Sequence, residues 1–219
     1  MKMFVLVIVL VLGVLGNTFA QEKKVITLGI VNGKASYLPK PDYPQEAKDF
    51  CASGKVEVEI LIGEDGKVIK AKAISGDELL YDSAVEAASK ARFVNTPDIT
   101  SVKVRGIIVY NFIPEQKCIS SGRIVNEKAL SIPKPRIADF NKTKRLRIEQ
   151  EELVEVQIII ESQSGEVIRA RAISGRQAFR AACENSARQT KFSPINDVPL
   201  VLIRANLIYK FKPNGKIEF

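Results

Sequence analysis

An internal repeat constrains the fold of this chain more than any other feature of its sequence. Residues 31–41 recur 94 positions later as residues 125–135, and residues 66–76 recur 99 positions later as residues 165–175. The spacing of 99 also relates three pairs of aromatic residues: Phe93 and Phe192, Tyr110 and Tyr209, and Phe112 and Phe211. The common order of the blocks indicates two homologous domains, and the change in spacing indicates an insertion in a loop of the second.

The length and the composition agree with two small globular domains. The chain has 219 residues, of which 46% are hydrophobic and 26% are charged. These values are typical of globular proteins, and the length allows one or two domains. We therefore predict a first domain at residues 21–115 and a second domain at residues 116–219.

Each repeat predicts an α+β domain with a three-stranded antiparallel or mixed sheet and helices packed on one face. Residues 56–62 alternate between buried-type and exposed-type positions, which is typical of a half-buried strand. A hairpin turn at residues 65–66 leads to a second strand that is expected to bury Ile69. A helix capped by Asp77 follows, and a third strand at residues 102–112 completes the domain.

The helical connection predicts the order of the strands. A helix crossover makes the second and third strands parallel, and the right-handed rule for crossovers places the first strand between them. The third strand, at residues 102–112, and its counterpart at 200–211 are then expected to lie at the edges of their sheets. Such an edge can bind a partner strand, or it can be covered between the two domains or in a homodimer.

Residues 1–20 have the layout of a secretory signal peptide. Lys2 precedes an apolar run at residues 3–16, and the small residues Thr18 and Ala20 suit cleavage after Ala20. An uncleaved membrane anchor is the alternative, but the run of 14 residues is shorter than the ~20 that a transmembrane helix needs. We therefore expect an exported protein of the periplasm or cell envelope.

Charge is distributed unevenly between the two predicted domains. Residues 21–115 carry 13 basic and 14 acidic side chains, whereas residues 116–219 carry 19 and 11. A basic surface favours polyanions such as lipid headgroups or envelope polymers, and a solvated face that maintains solubility also accounts for it. The basic residues lack the interleaved aromatic side chains that stack on bases, so nucleic acid is not predicted as a partner.

The residue types exclude most catalytic sites. The chain has no histidine, which excludes Ser-His-Asp and Cys-His catalysis as well as histidine-ligated zinc. Cys183 lies on the apolar face of a predicted helix, where we expect a small buried side chain rather than a nucleophile. The sequence therefore predicts no catalytic residue, no metal site, no cofactor and no small-molecule substrate.

Two other cysteines lie at the same end of the predicted first sheet. Cys51 precedes the first strand and Cys118 follows the third. They are expected either to form a disulfide that crosslinks this sheet or to remain two unpaired thiols. A disulfide in this position would stabilise the fold by about 2–4 kcal/mol.

Four short motifs follow one another in the first repeat. They are Pro-x-Tyr-Pro at residues 41–44, Gly-x-Val at 54–56, Asp-Gly-x-Val at 65–68 and an aromatic end at 109–112. This ordered set resembles the TonB C-terminal domain family, and the resemblance covers nearly all of residues 30–113. The second repeat resembles the family from residue 165 onward, but residues 135–138 lack the Tyr-Pro step.

The resemblance implies a function in binding rather than in catalysis. TonB C-terminal domains take an extended peptide of an outer-membrane transporter as an added strand at the sheet edge. By resemblance, the binding residues lie on the two predicted edge strands: Val102, Val104, Gly106, Ile108, Tyr110 and Phe112, and Val201, Ile203, Ala205, Leu207, Tyr209 and Phe211. The expected partner is an envelope protein or peptide segment.

Two hypotheses for the function follow from these observations. In the first, a detached protein with tandem TonB-like domains binds a partner by strand addition in TonB-dependent transport. In the second, a structural envelope protein uses its basic second domain to contact polyanions. Salt discriminates between them, because attachment through exposed charges weakens as ionic strength rises, whereas strand addition changes little.

Overall fold

The computed structural model describes residues 25–94, 103–137, 148–195, 199–213 and 215–219. The predicted signal peptide and Val102 lie outside the described residues. Within the described ranges, no helix is both long enough and apolar enough to cross a membrane.

The elements are β1 (Val25–Ile30), β2 (Ala35–Tyr37), α1 (Gln45–Asp49), β3 (Gly54–Ile62), β4 (Val68–Ser75), α2 (Tyr81–Lys90), β5 (Arg92–Phe93), β6 (Lys103–Phe112), β7 (Cys118–Ile124), β8 (Ala129–Ser131), β9 (Glu152–Glu161), β10 (Val167–Ala172), α3 (Gln177–Arg188), β11 (Lys191–Phe192), β12 (Leu202–Phe211) and β13 (Ile217–Glu218).

The α+β class is confirmed, since helices pack against small mixed sheets. The first sheet has the order β1-β6-β3-β4. Strand β3 lies between β4 and β6 and runs antiparallel to both, as the crossover rule predicts. In the second sheet, β9 lies between β10 and β12 in the same way. The division into domains at residues 21–115 and 116–219 stays a prediction.

The prediction that β6 and β12 are edge strands is wrong. Strand β1 pairs in parallel with β6, so β6 lies inside the first sheet. Strand β7 pairs in parallel with β12, and β13 pairs with the end of β12. The sequence pattern predicted no strand for these covering segments. Among the described strands, β4 and β10 each lie at one edge of their sheet. Strand β4 contacts α2, and β10 contacts α3.

Helices α2 and α3 pack against the sheets of their own repeats. In the first repeat, Ala84 and Ala88 of α2 are fully buried against β3 and β4, and Leu80 lies just before this helix. Asp77 caps the helical segment, because its Oδ1 accepts a hydrogen bond from the Leu79 amide at 3.1 Å. In the second repeat, Phe179 and Cys183 of α3 are buried, among other residues of the second core.

A bulge in the β3–β4 hairpin changes which residue of β4 reaches the core. Leu61 pairs with Lys70, and Ile62 pairs with Val68. Ile69 is therefore the extra residue of the bulge, and its side chain points outward. Ile69 is 51% exposed, whereas Val68 packs against the core. The prediction that Ile69 is buried is therefore wrong.

Gly66 closes the hairpin turn beside β5. Its φ is +73°, and a Cβ at this position would lie 2.2 Å from the carbonyl oxygen of Phe93. The Phe93 amide also donates a 2.9 Å hydrogen bond to the Gly66 carbonyl, so the two backbones cannot separate without losing this bond. Gly165 has the same relation to Phe192 in the second repeat.

We expect Gly66→Ala to lower the free energy of unfolding by about 2–4 kcal/mol, because the side chain meets backbone in a left-handed conformation. Urea unfolding measures this change. Gly33→Ala is the matched control, since a Cβ there meets no atom within 4 Å and its φ lies outside the left-handed range. Equal destabilisation by the two substitutions would contradict the prediction.

Candidate strand-binding rims

The two predicted binding strands each have one side that faces away from the central strand. We call the main-chain groups on this side, from Lys103 to Ile113, the β6 rim, and those from Leu202 to Lys212 the β12 rim. The Ile107 carbonyl accepts a 2.9 Å hydrogen bond from Val31 on the β6 rim. Along a strand, the N–H and C=O groups of successive residues point to opposite sides. The main-chain groups of the odd-numbered residues of β6 therefore point to the rim.

The predicted binding residues therefore point their main-chain groups the other way. Gly106, Ile108, Tyr110 and Phe112 are buried, and Val104 is half-buried. In the second repeat, the even-numbered residues of β12 face the rim. Five of the binding residues predicted there are buried: Val201, Ala205, Leu207, Tyr209 and Phe211. Ile203 is half-buried, and Val201 lies just before the strand.

An asparagine side chain continues the pairing on each rim. The Asn32 side chain donates to the Val109 carbonyl at 2.7 Å and accepts from the Val109 amide at 2.9 Å. Asn126 makes the same two hydrogen bonds to Ile208, at 2.7 and 2.9 Å. Each asparagine thus imitates one residue of an added strand. The recurrence of asparagine in both repeats is the sequence signal that could have revealed this role.

Strand β1 is held on the β6 rim mainly through its backbone. Its side chains are exposed except for Leu28, which packs against the first core. Ile30 is 66% exposed, although it is paired with Ile107. The pairing places an extended segment on the strand that was predicted to bind a partner. In this arrangement β1 shows that the β6 rim accepts a parallel strand.

The β12 rim is covered over a greater length than the β6 rim. β7 pairs with it up to Asn206, Asn126 bonds to Ile208, and β13 covers Lys210 and Phe211. On the β6 rim, the corresponding pairing among the described residues ends at Val109. The main-chain groups of Asn111 and Ile113 follow on the same side. Next to them lies a groove of about 610 Å³, which residues 38–43 also line.

The structure contains the disulfide between Cys51 and Cys118, with a Cα–Cα distance of 5.9 Å. The expectation that it crosslinks the first sheet is wrong, because Cys118 begins β7 and pairs with Leu202 of the second sheet. Phe50, Cys51 and Ile159 form a small buried cluster around the bond. The disulfide therefore connects the two repeats.

A largely buried ion pair lies beside this cluster. The Arg204 guanidinium donates a hydrogen bond to Asp77 Oδ2, and the two side chains are only 15% and 13% exposed. Asp77 thus caps the helical segment of the first repeat with one oxygen and binds the second sheet with the other. Arg171 also lies over the Phe50 ring, with its guanidinium carbon 5.5 Å from the ring centroid.

The described residues offer no obvious catalytic group. Burial, with a smaller effect of the Glu184 charge, raises the pKa of the Cys183 thiol to about 12, so this cysteine is not a nucleophile at neutral pH. Within the described ranges, no three Cys, Asp or Glu side chains lie close enough together to hold a metal ion. What the rims offer is main-chain hydrogen bonding.

Residues 39–114 match the family of Gram-negative bacterial TonB protein C-terminal domains. The solution NMR structure of the Pseudomonas aeruginosa TonB CTD is 23% identical in sequence, with a TM-score of 0.31. This similarity covers 41% of the present chain and 96% of the other. No curated protein matches the chain.

The TonB C-terminal match includes α1, α2 and strands β3 to β6. TonB C-terminal domains are non-catalytic, act in the periplasm in TonB-dependent transport and interact with outer-membrane transporters. The matched segment starts after β1 and ends before β7. The two parallel covering strands are therefore outside the TonB-like segment.

Proposed function

We propose that this protein is an exported envelope protein that binds an extended segment of an outer-membrane transporter at the β6 rim. A partner strand would take the place of β1 and form the same main-chain hydrogen bonds. The tandem repeats, the cleaved signal peptide and this binding mode all belong to the proposal. The observation that carries it is the parallel pairing of an exposed segment, Val25–Ile30, with β6.

The exposure of β1 supports an exchange of strands. Backbone hydrogen bonds between neighbouring strands contribute about 0.5–1.5 kcal/mol each, and a replacement strand restores them. Of the β1 side chains, Leu28 is the one that packs against the first core, so few side-chain contacts are lost when β1 leaves. A tethered strand acts at an effective concentration in the millimolar range, and β1 therefore competes strongly with a partner.

The second repeat is less suited to exchange. β7 begins at Cys118, which the disulfide holds to Cys51. Several cations of this repeat are paired with carboxylates and are less available to a polyanion: Arg171 with Glu46, Arg176 with Glu152, Lys191 with Glu166, Arg204 with Asp77, and Lys212 with Glu151 and Glu218. We assign the exchange to the first repeat because its covering strand is not held by this disulfide.

A capture experiment with solubilised outer membranes tests the proposal. A chain that begins at Val31 lacks β1, and we expect it to retain a TonB-dependent transporter at least about tenfold better than the chain with β1, because the internal competitor is gone. Mass spectrometry identifies the retained protein, and quantitative blotting measures it.

Salt separates the proposed function from its alternative. Capture through strand addition is expected to change little between low and high ionic strength, whereas contact through exposed charges weakens steeply. Retention that is equal with and without β1, or that disappears in high salt, would refute binding at the β6 rim.

A further inference from the structure

A groove at the end of β6 lies beyond the part of the rim that β1 and Asn32 cover. Val109 directs its N–H and C=O toward Asn32, so Asn111, two residues later, directs its own groups toward the groove. Ile113 follows with the same orientation and is 73% exposed. Pro39, Lys40 and Pro41 also line the groove, whose volume is about 610 Å³.

The second repeat shows what occupies the corresponding position. There Lys210 corresponds to Asn111 by the repeat spacing of 99, and it pairs with Glu218 of β13 in antiparallel orientation. The Lys212 amide, which corresponds to that of Ile113, donates a 2.9 Å hydrogen bond to the Lys216 carbonyl. The rim positions that pair with no described strand in the first repeat are thus paired with an extended segment in the second.

Side chains hold this segment as well as the backbone. Ile217 packs against the second core, and the Phe219 ring meets the Tyr209 ring edge-on, with 5.6 Å between centroids. Tyr209 corresponds to Tyr110 of the first repeat, which lines the groove. The groove therefore retains the aromatic residue that Phe219 contacts in the second repeat.

We propose that this groove docks an extended segment of a partner protein, antiparallel to β6, with an apolar and an aromatic residue two positions apart. The middle residue of the segment lies opposite Asn111, as Glu218 lies opposite Lys210. None of the strands that the structure describes supplies it, because β13 is placed on β12 and the chain after Ile113 leads to Cys118, which is bonded to Cys51. This site goes beyond the exchange of β1, which stays paired when the groove is filled.

A synthetic peptide with an acetylated N-terminus and the sequence of residues 215–219, Gly-Lys-Ile-Glu-Phe, is the probe. It is titrated into the isotope-labelled chain that retains β1, and amide NMR shifts report its position. We expect saturable binding with the largest shifts at Asn111 and Ile113. Absence of binding at millimolar peptide, or largest shifts at Lys210 because the peptide replaces β13, overturns the proposal.

Two changes remove single hydrogen-bond donors. Ile113→Pro removes the donor in the chain, and Pro114 already restricts residue 113 to extended backbone that proline accepts. N-methylation of the peptide glutamate removes the donor opposite Asn111 without altering the protein. Each is expected to weaken binding about fivefold or more.

Ile113→Val keeps the amide and is the matched control, with binding expected to stay within about twofold of the parent chain. Unchanged affinity with the N-methylated peptide overturns the proposal even if Ile113→Pro does not fold. The test is independent of the proposed function, because capture after removal of β1 depends on residues 103–109 rather than on the groove.

Discussion

Crosslinking β1 to β6 is expected to abolish capture of the transporter, with a loss of at least about tenfold relative to the reduced protein. Thr27 and Arg105 are paired across the two strands, so the double substitution Thr27→Cys and Arg105→Cys places two thiols at neighbouring positions. Oxidation then fixes β1 on the rim, and a partner strand cannot replace it. The measurement is transporter capture from solubilised outer membranes with oxidised and reduced protein.

The single substitution Arg105→Cys is the control for the lost arginine. Arg105 lies 3.9 Å from Glu59 with both side chains about half exposed, and exposed ion pairs of this kind contribute little to stability. Mass spectrometry verifies that the new bond joins residues 27 and 105 and that Cys51 remains bonded to Cys118. If the oxidised and reduced proteins capture the transporter equally, β1 does not leave the rim when a partner binds.

Asp77→Ala is expected to cost about 3–5 kcal/mol of unfolding free energy. It leaves the Arg204 guanidinium in a largely buried position without this carboxylate, which is the main cost. It also removes the acceptor for the Leu79 amide, which contributes about 1 kcal/mol as a helix cap. Thermal and urea unfolding measure the change.

Two further variants separate the contributions of Asp77. Asp77→Asn keeps an oxygen for the cap and removes the charge, so it is expected to be less destabilising than Asp77→Ala. A double-mutant cycle with Arg204→Met isolates the coupling between the two repeats. We expect Asp77→Ala to be much less harmful in the Arg204→Met background, and additive effects would show that the ion pair does not couple them.

Local patterns account for much of the fold. Alternation at residues 56–62 predicted β3, and Asp77 predicted the start of the helical segment. These signals are local because side-chain periodicity and capping involve residues close together in the chain. The position of Ile69 was predicted incorrectly because a bulge shifts the β3–β4 register, and alternation within one strand does not reveal an extra residue.

The covering strands could not be assigned in this way. Val25–Ile30 shows no regular alternation, includes Gly29 and follows the predicted signal peptide, while Cys118–Ile124 contains two serines and a glycine. Both form strands because a rim with unpaired main-chain groups lies beside them, and strand formation depends strongly on such neighbours. The predicted binding residues alternate along each strand with the residues whose main-chain groups face the rim, because buried side chains and rim-facing amides alternate along the same strand.

The order of residues along the chain is sufficient to establish the repeat, the α+β class, the TonB-like motifs and the lack of histidine chemistry, because each depends on composition or on short spacings. Three features depend on segments far apart in the chain: the covered rims, the open groove beside Asn111, and the contact between the repeats through Asp77, Arg204 and the disulfide. Backbone hydrogen-bonding groups are nearly the same for every residue type, so a sequence identifies a strand more readily than the neighbour that pairs with it.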